Sequence, residues 1–194
     1  MKIKSPLAAV ILLFLLTFTG QPTSLNAKET LGVDLTHTSG FNETDLSKVK
    51  EALGLLERIF NSDLFETSVL NFEFDGKKQF ANNNNLTNEQ IYQTIMNGRE
   101  TYTQVDDHVA QLDLNLYTPP FWKKWSVIGY GYPGQPEIFM NHYYFDSFSI
   151  QQIAGNIAHE WMHKLGFEHD YRATAQRPFS VPYAIGEMVI KFSS

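Results

Sequence analysis

The chain has 194 residues, 43% hydrophobic, 19% charged and 14% aromatic, with no cysteine and a formal net charge of −6. Aromatics this frequent and charges this sparse exclude a disordered, collagen-like or coiled-coil chain, and the length is that of one domain with its own core. The missing cysteine excludes a disulfide scaffold, a thiolate metal site and a catalytic thiol, and the acidic balance speaks against nucleic acid or anionic membrane as partner.

Lys2 and Lys4 precede an apolar run over residues 7–18, and a polar stretch follows. That is the pattern of a secretory signal, too short to span a bilayer as a helix. The expectation is a signal peptide over 1–27, cut after Ala27, and a catalytic domain over 28–194. It implies an exported protein, secreted or held in the periplasm or cell envelope, with no stable membrane span once the signal is removed.

Residues 31–36 alternate apolar and polar and predict a short strand. Leu46, Val49, Leu53, Leu56 and Phe60 recur at spacings of three and four, predicting an amphipathic helix over 44–60. Residues 69–74 are aromatic and β-branched and run into Asp75-Gly76, which reads as a strand and a turn. Asn82 to Asn85 form a surface loop, and Thr87 with Gln90 makes a capping box for a helix that stops at Gly98. Strands are then expected over 108–117, 125–130 and 138–140. Ser149 and Gln152 open a last long helix carrying Ile150, Ile157, Trp161 and Leu165 toward the core. This order predicts one α+β domain built on a mixed sheet.

That helix contains His159-Glu160-Trp161-Met162-His163. Four residues are about one helical turn, so the two imidazoles share a face and can share an ion, while Glu160 lies beside that face. Gly166 follows, a residue free to take positive φ and turn the chain back, which brings His169 within reach of the same ion. Three imidazoles with one open position is the donor set of a catalytic zinc site; a structural site is closed by a fourth protein ligand.

The run from His159 to Asp170 resembles the zinc-binding motif of the metzincin metallopeptidases, H-E-x-x-H-x-x-G-x-x-H, with Asp170 in the place of the family-typical residue after the third histidine. The resemblance implies one catalytic Zn2+ on His159, His163 and His169, with Glu160 as general base. It implies a zincin-like fold: a mixed, twisted, five-stranded sheet packed on two long helices, one of them the active-site helix, with a small C-terminal subdomain that ends in a short helix. The substrate would be a peptide or protein, bound in an extended conformation along the edge strand, here 125–130. The pocket behind the zinc would be walled by residues 171–181, whose Arg172 and Arg177 read as solvated. Metzincins carry a methionine in a turn beneath the metal; here Pro182 stands at that place in Ser180-Val181-Pro182-Tyr183, and Met188 falls in a C-terminal helix over 183–192. Tyr183 is a candidate proton donor or oxyanion partner. A monomer is expected. Two other readings stay open: a zinc hydrolase acting on a non-protein amide or an envelope component, and a metal-binding protein of the same fold without turnover. His37, His108 and His142 lack ligand spacing, and Phe121-Trp122-Lys123-Lys124-Trp125 reads as a cleft rim or a packed loop.

Overall fold

The structure, a computed structural model, describes residues 29–193; the expected signal segment lies outside them. Strand β1 (Gly32–Ser39) is followed by helices α1 (Glu43–Phe60), α2 (Asp63–Leu70) and α3 (Asn88–Asn97). Strand β2 (Val109–Tyr117), a short edge strand β3 (Gly129–Gly131) and β4 (Glu137–Asn141) come next. Helices α4 (His142–Ser147), α5 (Ile150–Lys164) and α6 (Val181–Phe192) complete the chain. The sheet order is β1-β2-β4-β3, with β1, β2 and β4 parallel and β3 antiparallel to β4. Parallel neighbours need a crossover connection, and α1 to α3 supply it between β1 and β2. The result is a mixed α+β domain of four strands and six α-helices among the described residues.

The expected fifth strand is absent. Residues 69–74 belong instead to the end of α2 and the chain beyond it. Ser62 caps α2 by accepting from the Phe65 amide at 3.1 Å, and Phe65 and Val69, four apart and fully buried, form its inner face. β-Branched and aromatic content therefore misled, because a helical spacing of four explains the same residues. The turn survives: Asp75 and Gly76 both take positive φ, and Phe74 and Lys77 exchange backbone hydrogen bonds across them. The expected strand over 125–130 shrinks to Gly129–Gly131, preceded by a 3-10 turn at Phe121–Lys123. Here the buried side chain of Asn141 donates to the carbonyls of Lys124 and Val127 at 3.0 and 2.8 Å, so this stretch is tied by a side chain before any ladder begins. Helix α4, opened by the same Asn141, carries no sequence signal that periodicity reveals.

The predicted helices α1, α3, α5 and α6 form where their caps and apolar periods place them. Asn42, Thr87 and Ser149 each close a capping box. The core lies between the inner face of the sheet and helices α1 and α5. Leu112, Leu114 and Ile138 face Leu56, Phe60, Ile157 and Trp161, all with no exposed surface. Trp161 packs at a tilt against Phe60 with ring centroids 5.7 Å apart, and its indole N–H donates to the buried Glu100 carboxylate at 3.0 Å. Helix α6 comes unusually close to α5. A Cβ at Gly155 would lie 2.4 Å from Ile190, and one at Gly186 would lie 2.9 Å from the Gly155 carbonyl and 3.3 Å from the His159 Cβ. Two glycines therefore let α6 rest on the back of the first histidine. Met188 packs within α6 and is nearly buried, away from the imidazoles.

Candidate metal centre

Helix α5 is amphipathic in an unusual sense. One side is core, and the other presents His159 and His163 from successive turns. The helix ends at Leu165, Gly166 takes φ +90°, and the chain reverses so that His169 returns over the two helical imidazoles. The three rings stand 5.0 to 5.3 Å apart by centroid, and one nitrogen from each lies within 4.8 Å of the other two.

Backbone carbonyls fix which nitrogen points inward. Nδ1 of His163 donates to the Phe167 carbonyl at 2.7 Å, and Nδ1 of His169 to the Asp170 carbonyl at 3.1 Å. His159 makes its backbone hydrogen bond to Pro182. A carbonyl accepts only, so Nδ1 carries the hydrogen and Nε2 is left as a bare lone pair. Nε2 of His159 and Nε2 of His169 face each other at 3.3 Å. Two lone pairs at that distance repel unless a cation lies between them. Nitrogen ligands on a tetrahedral zinc at ~2.0–2.1 Å stand about 3.4 Å apart, and the His159–His169 pair has that spacing. Burial first, and then the neighbouring imidazoles, hold His159 well below the ordinary histidine pKa; burial pushes His163 down to about 4 and lowers His169. All three are therefore neutral at neutral pH and could bind a metal without shedding a proton. Hydrogen bonding of each outer nitrogen to backbone is the arrangement that orients metal-binding histidines.

Glu160 turns from the imidazole face toward β3. It is 4% exposed and accepts from the Gly131 amide and the Asn156 side chain. Burial raises its carboxyl to about 8, against a lowering by Lys164 and these hydrogen bonds. Gly129 and Gly131 make this approach possible: a Cβ at Gly129 would stand 3.2 Å from the carboxylate oxygen. Lys164, fully buried, anchors the β3–β4 connection by donating to the carbonyls of Tyr132, Gln135 and Glu137. Tyr183, in the first turn of α6, packs edge-on against His159 at 4.5 Å and against His169 at 4.8 Å.

Of the predicted site residues, His159, His163, His169 and Tyr183 are thus brought together, whereas the Glu160 carboxyl group is held against β3. His37, His108 and His142 lie elsewhere: His108 Nδ1 donates to the Met96 carbonyl in α3, and His142 pairs with Asp146. In the aromatic loop, Trp125 packs against Tyr143 and Tyr144, whereas Phe121 and Trp122 are more than 80% exposed. Residues 82–85, read as a plain surface loop, also brace the site. Asn84 donates to the Gly166 carbonyl at 2.9 Å and Asn82 to the Asp170 carboxylate at 3.2 Å. Three of these asparagines take positive φ, which their side chains tolerate better than most. The sequence carried a hint of the strand contact, glycines two apart in a strand that must approach another element closely. It carried none for the second role of the asparagines or for Arg177, which lies over Tyr183. Compared with known proteins, the chain matches no family model, no curated protein and no solved structure.

Proposed function

We propose that the chain is an exported zinc-dependent endopeptidase of metzincin type, with zinc on His159, His163 and His169 and Glu160 as general base. One observation carries this reading: three imidazoles whose outer nitrogens are taken by backbone carbonyls and whose inner nitrogens lie within 4.8 Å of one another. Zinc bound there supplies a Lewis acid for water and carbonyl, and a double positive charge that draws the Glu160 pKa back down.

The chain's own groups do the rest. Glu160 takes a proton from the attacking water on a carboxylate oxygen and passes it to the nitrogen of the leaving amine. The Gly131 amide and Asn156 hold that carboxylate in one orientation, so the proton moves between fixed positions. Strand β3 is the edge of the sheet, and an extended peptide added beside it gains main-chain hydrogen bonds with little demand on side chains. Tyr183, rigid against two ligand rings, is the candidate partner for the developing oxyanion. Among the described residues, no helix is long and apolar enough to cross a membrane. Export rests on the N-terminal sequence pattern.

The test is zinc content together with cleavage of casein and a peptide library, on the purified protein beside Glu160→Gln. Zinc in both and cleavage only by the unaltered protein is the expected result. Zinc in both with cleavage by neither would favour a hydrolase of a non-protein amide or envelope component, or a metal-binding protein without turnover. No zinc in either would remove the site.

A further inference from the structure

Residues 170–180 wall one side of the histidine cluster, and they are not loosely held. Asp170 accepts from Thr174 at 2.5 Å and from Gln176 at 3.0 Å; Thr174 in turn accepts the Arg177 amide at 3.2 Å. The Arg177 carbonyl accepts the Ser180 hydroxyl at 2.7 Å, and the Ala81 amide pins the Phe179 carbonyl at 2.9 Å. Arg177 therefore stands on backbone fixed on both sides. Its guanidinium lies 4.8 Å over the Tyr183 ring, and that ring touches the rings of His159 and His169. Its positive charge is felt at both imidazoles.

The counter-ion is what this arginine lacks. Among the described residues no carboxylate lies within ion-pair distance of it, and its buried Nε–H has no acceptor. Asp170, the nearest acid in the loop, is already occupied by Thr174, Gln176 and Asn82. A half-buried cation whose Nε–H has no acceptor costs stability unless something negative meets it, and a guanidinium offers its N–H groups as a fork that matches a planar carboxylate. Arg172 in the same loop differs, being exposed, without such a stack.

We propose that Arg177 is a specificity-determining residue: its guanidinium receives a carboxylate of the substrate beside the bond to be cut. This rests on the peptidase reading above. It names the substrate class as peptides carrying an acidic side chain, or their own free C-terminus, next to the scissile bond.

The experiment is a binding measurement that needs no turnover. The zinc-loaded protein is titrated calorimetrically with succinic monohydroxamate, a metal-binding group joined to a carboxylate, and with its carboxamide counterpart. We expect the carboxylate form to bind roughly tenfold more tightly, the order of a charge-assisted hydrogen-bonded pair. Arg177→Gln should erase that preference, so that the two compounds bind equally, and Arg172→Gln should keep it. Equal binding of both compounds to the unaltered protein, or a preference that persists in Arg177→Gln, would overturn the role of Arg177 and leave the metal site standing. Binding of neither would overturn the metal site itself and the inference with it. Peptide pairs then separate the two sources: Glu against Gln beside the cut in amidated peptides, and free acid against amide at the C-terminus. Indifference in both pairs would also overturn the proposal.

Discussion

His159 and His163 stand on a buried helix, whereas His169 stands on a half-exposed loop, and the two regions are held in place by different physics. On α5, backbone hydrogen bonds and the apolar face around Ile157 and Trp161 set the ligand positions, so the spacing of four residues alone aims two rings at one point. On the loop no period exists. His169 is held by Gly166 at positive φ, by Asn84 on the Gly166 carbonyl, and by the polar net that Asp170 draws from Asn82, Thr174 and Gln176. The helix is ordered by its own neighbours in sequence; the loop depends on asparagines more than eighty residues away.

The account predicts that chemistry, ligation and support can be broken separately. The largest effect belongs to Glu160→Gln, expected to lower turnover by several orders of magnitude with zinc retained; turnover close to that of the unaltered protein would remove its role as base. Breaking the loop comes next. Asp170→Ala leaves His169 present but loosens its support, and should weaken zinc binding by roughly 10–100-fold in a chelator competition, as losses of outer-shell support do. An affinity unchanged by Asp170→Ala would mean that the loop holds its histidine without the polar net.

Packing behind the helix is tested by Gly155→Ala. A methyl group 2.4 Å from Ile190 forces α6 away, and destabilisation of ~1–3 kcal/mol is expected in denaturant unfolding. The sign of the acid response is also fixed. Burial lowers the His163 pKa from 6.5 to about 4, so across that window the unfolded chain binds a proton that the folded chain refuses. Stability of the metal-free protein is then present above the window and lost as pH falls through it, and zinc release runs in the same direction. Thermal melts of the metal-free protein across that window should show a falling midpoint; a flat midpoint would contradict it. The smallest effect is Asn84→Ala, which removes one exposed hydrogen bond and should cost about 1 kcal/mol or less.

What could be read from the residues follows the same division. The shared face of His159 and His163 and the turn at Gly166 were legible because each obeys a local rule: a helical period and a left-handed glycine. The caps at Thr87 and Ser149 were legible for the same reason. The end of α2 and the chain after it, residues 69–74, were misread as a strand because Val69 and Phe72 satisfy a compositional rule, whereas Val69 packs on the inner face of a helix with Phe65, four residues before it. The shortened edge strand follows from Asn141, whose buried amide takes carbonyls that a ladder would use. Arg177 read as a solvated charge because nothing in its surroundings along the chain reveals that it stacks on Tyr183. In each case the misreading lies where a side chain reaches across the fold to fix backbone or charge.

The central claim is that three Nε2 atoms converge on one ion, and X-ray absorption on the zinc-loaded protein tests it most directly. The account predicts one zinc per chain with three imidazole nitrogens and one oxygen at ~2.0–2.1 Å. Zinc that is sub-stoichiometric, or a shell of six oxygens without imidazole scattering, would contradict it.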